Sequence, residues 1–131
     1  MAGGCGCGGG GGQCCGETLV FTCAGAAYSG QVSNRAGVNL MQDGAGALFC
    51  AAAVAARIPE KLERARRAGR RVVIDGCSDH CARKIIEEAG LTVELHVDVT
   101  TLGVAKKPET PEMINDSKRV ADHVKAALVG A

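Results

Sequence analysis

The chain has 131 residues, enough for one small domain with its own core. Its net charge of +1 leaves no electrostatic footprint for a nucleic-acid partner. Eight cysteines point either to a secreted disulfide framework or to an intracellular metal or redox site.

The N-terminus bears on that choice. It reads MAGGCGCGGGGGQCCG, with neither a basic nor an apolar stretch of the secretory kind. The longest uncharged apolar run, Ala45 to Ala56, is about half of what a membrane span needs. The expectation is a cytoplasmic, reduced chain with no membrane partner, where cysteines serve metal binding or thiol chemistry. Residues 1–16 carry Cys5, Cys7, Cys14 and Cys15 among glycines, and such a stretch buries too little apolar surface to order itself. They are expected to form a flexible leader, dispensable for the fold. It is not a phosphate loop, because no strand precedes it. Residues 17–131 are expected to form a single domain.

Leu19 to Thr22 is a short apolar run near glycines and predicts a buried strand. Ser29 to Gln42 predicts a helix and Ala47 to Phe49 a second strand. Pro59 to Ala68 predicts a helix, with proline in the first turn and Gly69 as its stop. Arg71 to Asp75 is the clearest strand, its β-branched centre suited to burial on both faces. Cys81 to Ala89 predicts a helix with Ala82, Ile85, Ile86 and Ala89 on one face, closed by Gly90. Val93 to Val99 alternates strictly, as an edge strand does. Thr110 to Leu128 predicts the last helix. Strands alternating with helices imply an α/β fold: a small three-layer, doubly wound parallel sheet of about four strands, flavodoxin- or Rossmann-like, in the order 2-1-3-4.

Cys23, Cys50 and Cys77 each follow a predicted strand, at a constant interval of 27 residues (23 to 50, 50 to 77). They therefore belong to the carboxyl edge of the sheet, where open α/β folds place their ligands. On three adjacent strands their Cα atoms span roughly 10 Å, a gap that side chains close onto one ion with Zn–S distances of about 2.3 Å. Cys81 follows Cys77 by one helical turn and opens a helix, whose dipole suits a negatively charged sulfur. A lone cysteine is usually a small buried hydrophobe. Three at equivalent strand ends plus a C-x-x-x-C argue for a joint metal or redox site.

The segment Val73-Ile74-Asp75-Gly76-Cys77, followed by Cys81-Ala82-Arg83-Lys84 and Glu87-Glu88-Ala89-Gly90, resembles the DGC-domain family, named for an Asp-Gly-Cys motif that here is Asp75, Gly76 and Cys77. The resemblance runs over roughly residues 18 to 128 and includes Thr22-Cys23-Ala24-Gly25-Ala26-Ala27 and Leu102-Gly103-Val104. It implies a zinc-binding protein with Cys23, Cys50, Cys77 and Cys81 as the metal ligands, and no established reaction. The same four thiols also suit an iron–sulfur cluster or a thiol oxidoreductase. Small residues beside them, Ala24 to Ala27 and Ala51 to Ala53, leave room for a small ligand or a protein partner.

Other residues carry competing readings. Cys77 to Arg83 fits the C-x5-R loop of cysteine phosphatases and arsenate reductases, but the loop has no glycine and Asp79 repels an oxyanion. His80 is either a ligand or acid–base group or a polar surface residue. His96 and His123 read as exposed, and Asp75 as a cap for the following loop or a hydrogen-bond partner near the site. The basic run Arg64 to Arg71 reads as a solvated helix end.

Overall fold

The computed structural model describes residues 16–130; the leader expected over residues 1–16 lies outside them except for Gly16. The elements follow as β1 (Thr18–Thr22), α1 (Tyr28–Gln42), β2 (Ala47–Phe49), α2 (Ala51–Ala55), α3 (Pro59–Arg67), β3 (Arg70–Asp75), α4 (Cys81–Glu88), β4 (Leu95–Asp98), a 3-10 turn (Val99–Leu102) and α5 (Met113–Gly130). The four strands form one all-parallel sheet in the order β2-β1-β3-β4. The α/β class and the strand order are those expected from the alternation. Helix α2 was not expected.

The two central strands, β1 and β3, are buried because they are apolar on both faces. Val20, Val72, Ile74 and Val97 pack on one side against Val32, Ala36 and Leu40 of α1 and Val120, Ala121 and Val124 of α5. Leu19, Phe21 and Val73 pack on the other against Val54 of α2, Ala65 of α3, and Ala82 and Ile86 of α4. The result is the expected three layers. No helix among the described residues is long and apolar enough to cross a membrane.

Among the boundaries that differ from the sequence expectation, two have clear local reasons. β4 stops at Asp98 rather than Val99, because the Asp98 carboxylate accepts the Thr100 amide (2.9 Å) and hydroxyl (2.6 Å) and turns the chain into the 3-10 turn. α5 begins at Met113, not Thr110. Pro111 disfavours helical geometry in the residue before it, so the helix starts beyond it. The helices that follow β1 and β3 lie on opposite faces of the sheet, α1 on one and α4 on the other, so the carboxyl edge between these two adjacent strands is a topological switch point.

The candidate metal centre

At that carboxyl edge the backbone is packed tightly. A Cβ on Gly76 would stand 2.6 Å from the Gly30 nitrogen and Cα, and one on Gly30 would stand 2.8 Å from Gly25. The loop after β1, the first turn of α1 and the loop after β3 thus touch backbone to backbone. This contact explains why a glycine stands between Asp75 and Cys77: it lets the strand end close under α1.

Cys23 directly follows β1, and its amide extends the ladder to the Ile74 carbonyl at 2.9 Å. Its carbonyl accepts the Ser33 hydroxyl at 2.5 Å, and its Sγ accepts the Gly25 amide at 3.3 Å. Cys50 is the residue before α2, and its Sγ accepts the Ala53 amide at 3.4 Å. Cys81 is exposed at the first position of α4. Cys77 is half-buried in the preceding loop, its carbonyl accepting the His80 amide at 3.1 Å.

Cys23, Cys50 and Cys81 line one cleft of about 640 Å³ together with Asn34, Phe49 and Ile85. Cys77 is outside that lining. Among the described residues, no three His, Cys, Asp or Glu side chains stand close enough together to hold a metal ion as they are placed. The donor chemistry nevertheless suits a soft or borderline ion: four thiols on one edge of the sheet, two of them already bonded by backbone amides.

A second constellation lies beside the cysteines. Asp75, fully buried at the end of β3, accepts the amides of Ala82 (2.8 Å) and Arg83 (3.2 Å) at the start of α4. Its Oδ2 also accepts His96 Nε2–H at 2.8 Å. Asp98, opposite Asp75 on β4, pairs with His80 Nε2 at 3.1 Å. The two imidazoles meet edge to face with centroids 4.5 Å apart. Burial raises the Asp98 pKa, but hydrogen bonds from the Thr100 hydroxyl and amide and from His80 outweigh it and hold the carboxyl below its ordinary range.

Asp75 therefore has both roles foreseen for it, capping the helix and bonding near the cysteines. By fixing the amides of Ala82 and Arg83 it fixes the turn that presents Cys81 to the cleft. His96 is not exposed: its side chain is 14% accessible, held by Asp75. His123 is exposed, as expected. The Asp75–His96–His80–Asp98 set as a unit is not among the sequence expectations. Its signal is His-x-Asp on an alternating strand, in parallel register with a strand ending in Asp.

The same bonds weigh against an oxyanion loop in Cys77 to Arg83. The amides of Ala82 and Arg83, which an incoming oxyanion would need, already donate to the protein's own carboxylate. The Arg83 guanidinium pairs with Glu87 at 3.0 Å. His80 takes left-handed backbone angles (φ 52°, ψ 45°) in turning the chain into α4.

Comparison with known proteins places these residues in a family. A family model described as DGC domain matches residues 19–124. A curated relative, the anaerobic and virulence modulator AnvM of Pseudomonas aeruginosa, is 26% identical over 89 residues, covering 68% of this chain and 68% of its own. No solved structure matches the chain.

Proposed function

The chain belongs to the DGC-domain family, and from that premise we propose that it is a zinc-binding protein whose ligands are Cys23, Cys50, Cys77 and Cys81. The observation that supports this most is the shared cleft: three cysteines, one after β1, one after β2 and one at the start of α4, open onto one cavity at the carboxyl edge. Cys77 joins them from the loop after β3. Because the sulfurs are not gathered in advance, binding draws the loops after β1, β2 and β3 together. Thiolate-bound zinc supplies a Lewis-acid centre and no redox chemistry of its own. The chain's own contributions are the Gly25 and Ala53 amides on sulfur and the Asp75 bonds that hold the start of α4. A modulator, the word in the relative's name, suits a binding protein without a reaction of its own.

The test is elemental analysis and a visible spectrum on anaerobically purified protein. One colourless zinc per chain is expected, with loss of zinc when Cys23, Cys50, Cys77 or Cys81 is changed to Ser. A brown preparation containing iron and sulfide replaces zinc with a cluster on the same thiols. Metal content unchanged in all four variants sinks the four-cysteine site.

A further inference from the structure

The cleft is far larger than an ion requires. At about 640 Å³ it falls in the size range of small-molecule sites. Among the described residues its lining contains no Lys, Arg, His, Asp or Glu. Leu48, Phe49 and Ile85 give it apolar walls, and Cys23, Cys50 and Cys81 give it sulfur. The polar side chains among the walls are Thr22 and Asn34, and the Thr22 hydroxyl donates to Asn34 Oδ1 at 2.9 Å.

We propose that this cleft binds an uncharged small molecule that has an apolar body and a thiophilic atom. The thiophilic atom is captured by cleft thiols, with Cys23 and Cys50 at the ends of adjacent strands as the principal pair. The apolar body lies against Phe49 and Ile85, which belong to the same face of the sheet. Absence of any lining cation makes a carboxylated or phosphorylated ligand unfavourable, since its charge would be desolvated without a partner. Capture of this kind uses the same thiols as the zinc reading but does not depend on the ion.

Organic derivatives of trivalent arsenic are suitable probes, because one reaction is common to a series of differing bodies. Phenylarsine oxide reacts with two thiols: two As–S bonds form, the As–O bond breaks, and both thiol protons leave with that oxygen as water. No oxidant or reductant is consumed. The experiment uses metal-free, reduced, full-length protein in which Cys5, Cys7, Cys14 and Cys15 are Ser. Phenylarsine oxide, methylarsine oxide and 4-carboxyphenylarsine oxide are each competed against dithiothreitol, which cancels their intrinsic affinity for thiols.

The phenyl compound should be preferred over the methyl and the carboxyphenyl compounds by roughly 10- to 100-fold, the scale of burying one ring against apolar side chains. Ala52→Trp, at an exposed position in the cleft wall, should erase that preference. Ala55→Trp, on the same helix but outside the cleft, should keep it. Cys23→Ser/Cys50→Ser should lose it, whatever arsenic remains on Cys77 and Cys81. Far-UV circular dichroism confirms the fold of each variant. Relative affinities equal to those of dithiothreitol, or a phenyl preference that survives both Ala52→Trp and the double serine variant, overturn the proposal. Because no metal is present, a chain that takes no zinc can still show the preference, and one that takes zinc can still lack it.

Discussion

Gly76 shows what a single position can demand. The residue is buried, and a β-carbon there would collide with the backbone of Gly30 at 2.6 Å, an atom with no rotamer to move away. Gly76→Ala should therefore cost about 2 kcal/mol or more, the range for overpacked interiors, because α1 must be pushed off the strand end. Urea denaturation measures it: a shift of the midpoint at constant slope is expected, and a variant as stable as the parent would show that α1 gives way freely. The Asp-Gly-Cys motif is thus three residues with three tasks. Asp75 caps α4 and holds His96, Gly76 permits the close approach, and Cys77 supplies a sulfur to the carboxyl edge. The cysteine pattern was legible in sequence because strand ends recur at equal intervals. The Asp75–His96–His80–Asp98 set was not, because it depends on the register of β3 against β4, which alternation alone does not specify.

At the scale of elements, the strands were easy to read and the short helix was not. β1 and β3 are continuous apolar runs bounded by polar or glycine residues, and only a strand buried on both faces accounts for them. α2 is five residues long, too short to show a helical period. It is preceded by Cys50, whose sulfur accepts the Ala53 amide in place of the usual Ser, Thr, Asp or Asn oxygen. Its start signal was therefore written in an unfamiliar residue. In the basic run at the end of α3, Arg66 and Arg67 form the expected solvated face, while Arg64 and Arg71 depart from it. Arg64 pairs with Glu17 at 2.6 Å and lies over the Phe49 ring. Arg71 is buried, donating to the carbonyls of Ala65 (2.8 Å) and Thr92 (2.6 Å) and to Glu94 (3.3 Å). It ties the end of α3 and the start of β4 to β3. Burial raises the Glu94 pKa, but bonds from the Thr92 hydroxyl and the Arg71 amide, with the Arg71 charge, outweigh it and leave the carboxyl below its ordinary 4.5. A group depressed in the folded state stabilises fully above its unfolded pKa and loses that contribution as pH falls through its folded pKa. Stability should therefore decline below about pH 4.5, and Glu94→Gln should flatten that part of the profile while lowering stability at neutral pH. Unfolding measured from pH 3 to 7 on both proteins checks the sign; parallel profiles would mean that Glu94 has no part in the acid loss.

For the molecule as a whole, the question is whether zinc at the proposed site would belong to folding or to function. Two apolar clusters, one on each face of the sheet, contain the fully buried large side chains, among them Phe21, Leu19, Leu40, Ile74 and Ile86. Cys23 touches the edge of one cluster, while Cys50 and Cys81 are exposed. The core is therefore complete without the site, unlike small metal-dependent domains whose binding free energy is their folding free energy. The carboxyl edge is instead bound together by Asp75, by the packing of Gly30 on Gly76, and by the Ser33 hydroxyl on the Cys23 carbonyl, none of which uses a metal. Removing zinc with a modest chelator should leave the far-UV circular dichroism spectrum and the cooperativity of unfolding intact. The free energy of unfolding should fall only by the mass-action increment that any ligand of the native state contributes, about 2.7 kcal/mol at a free concentration one hundred times its Kd. The freed thiols of Cys23, Cys50, Cys77 and Cys81 should then titrate with a thiol reagent in the folded protein, the exposed Cys50 and Cys81 ahead of the half-buried Cys23 and Cys77. Cooperative melting on chelation would mean the reverse. The sulfurs would then be holding the loops after β1, β2 and β3 against the sheet, and the site would be structural rather than an accessible cleft.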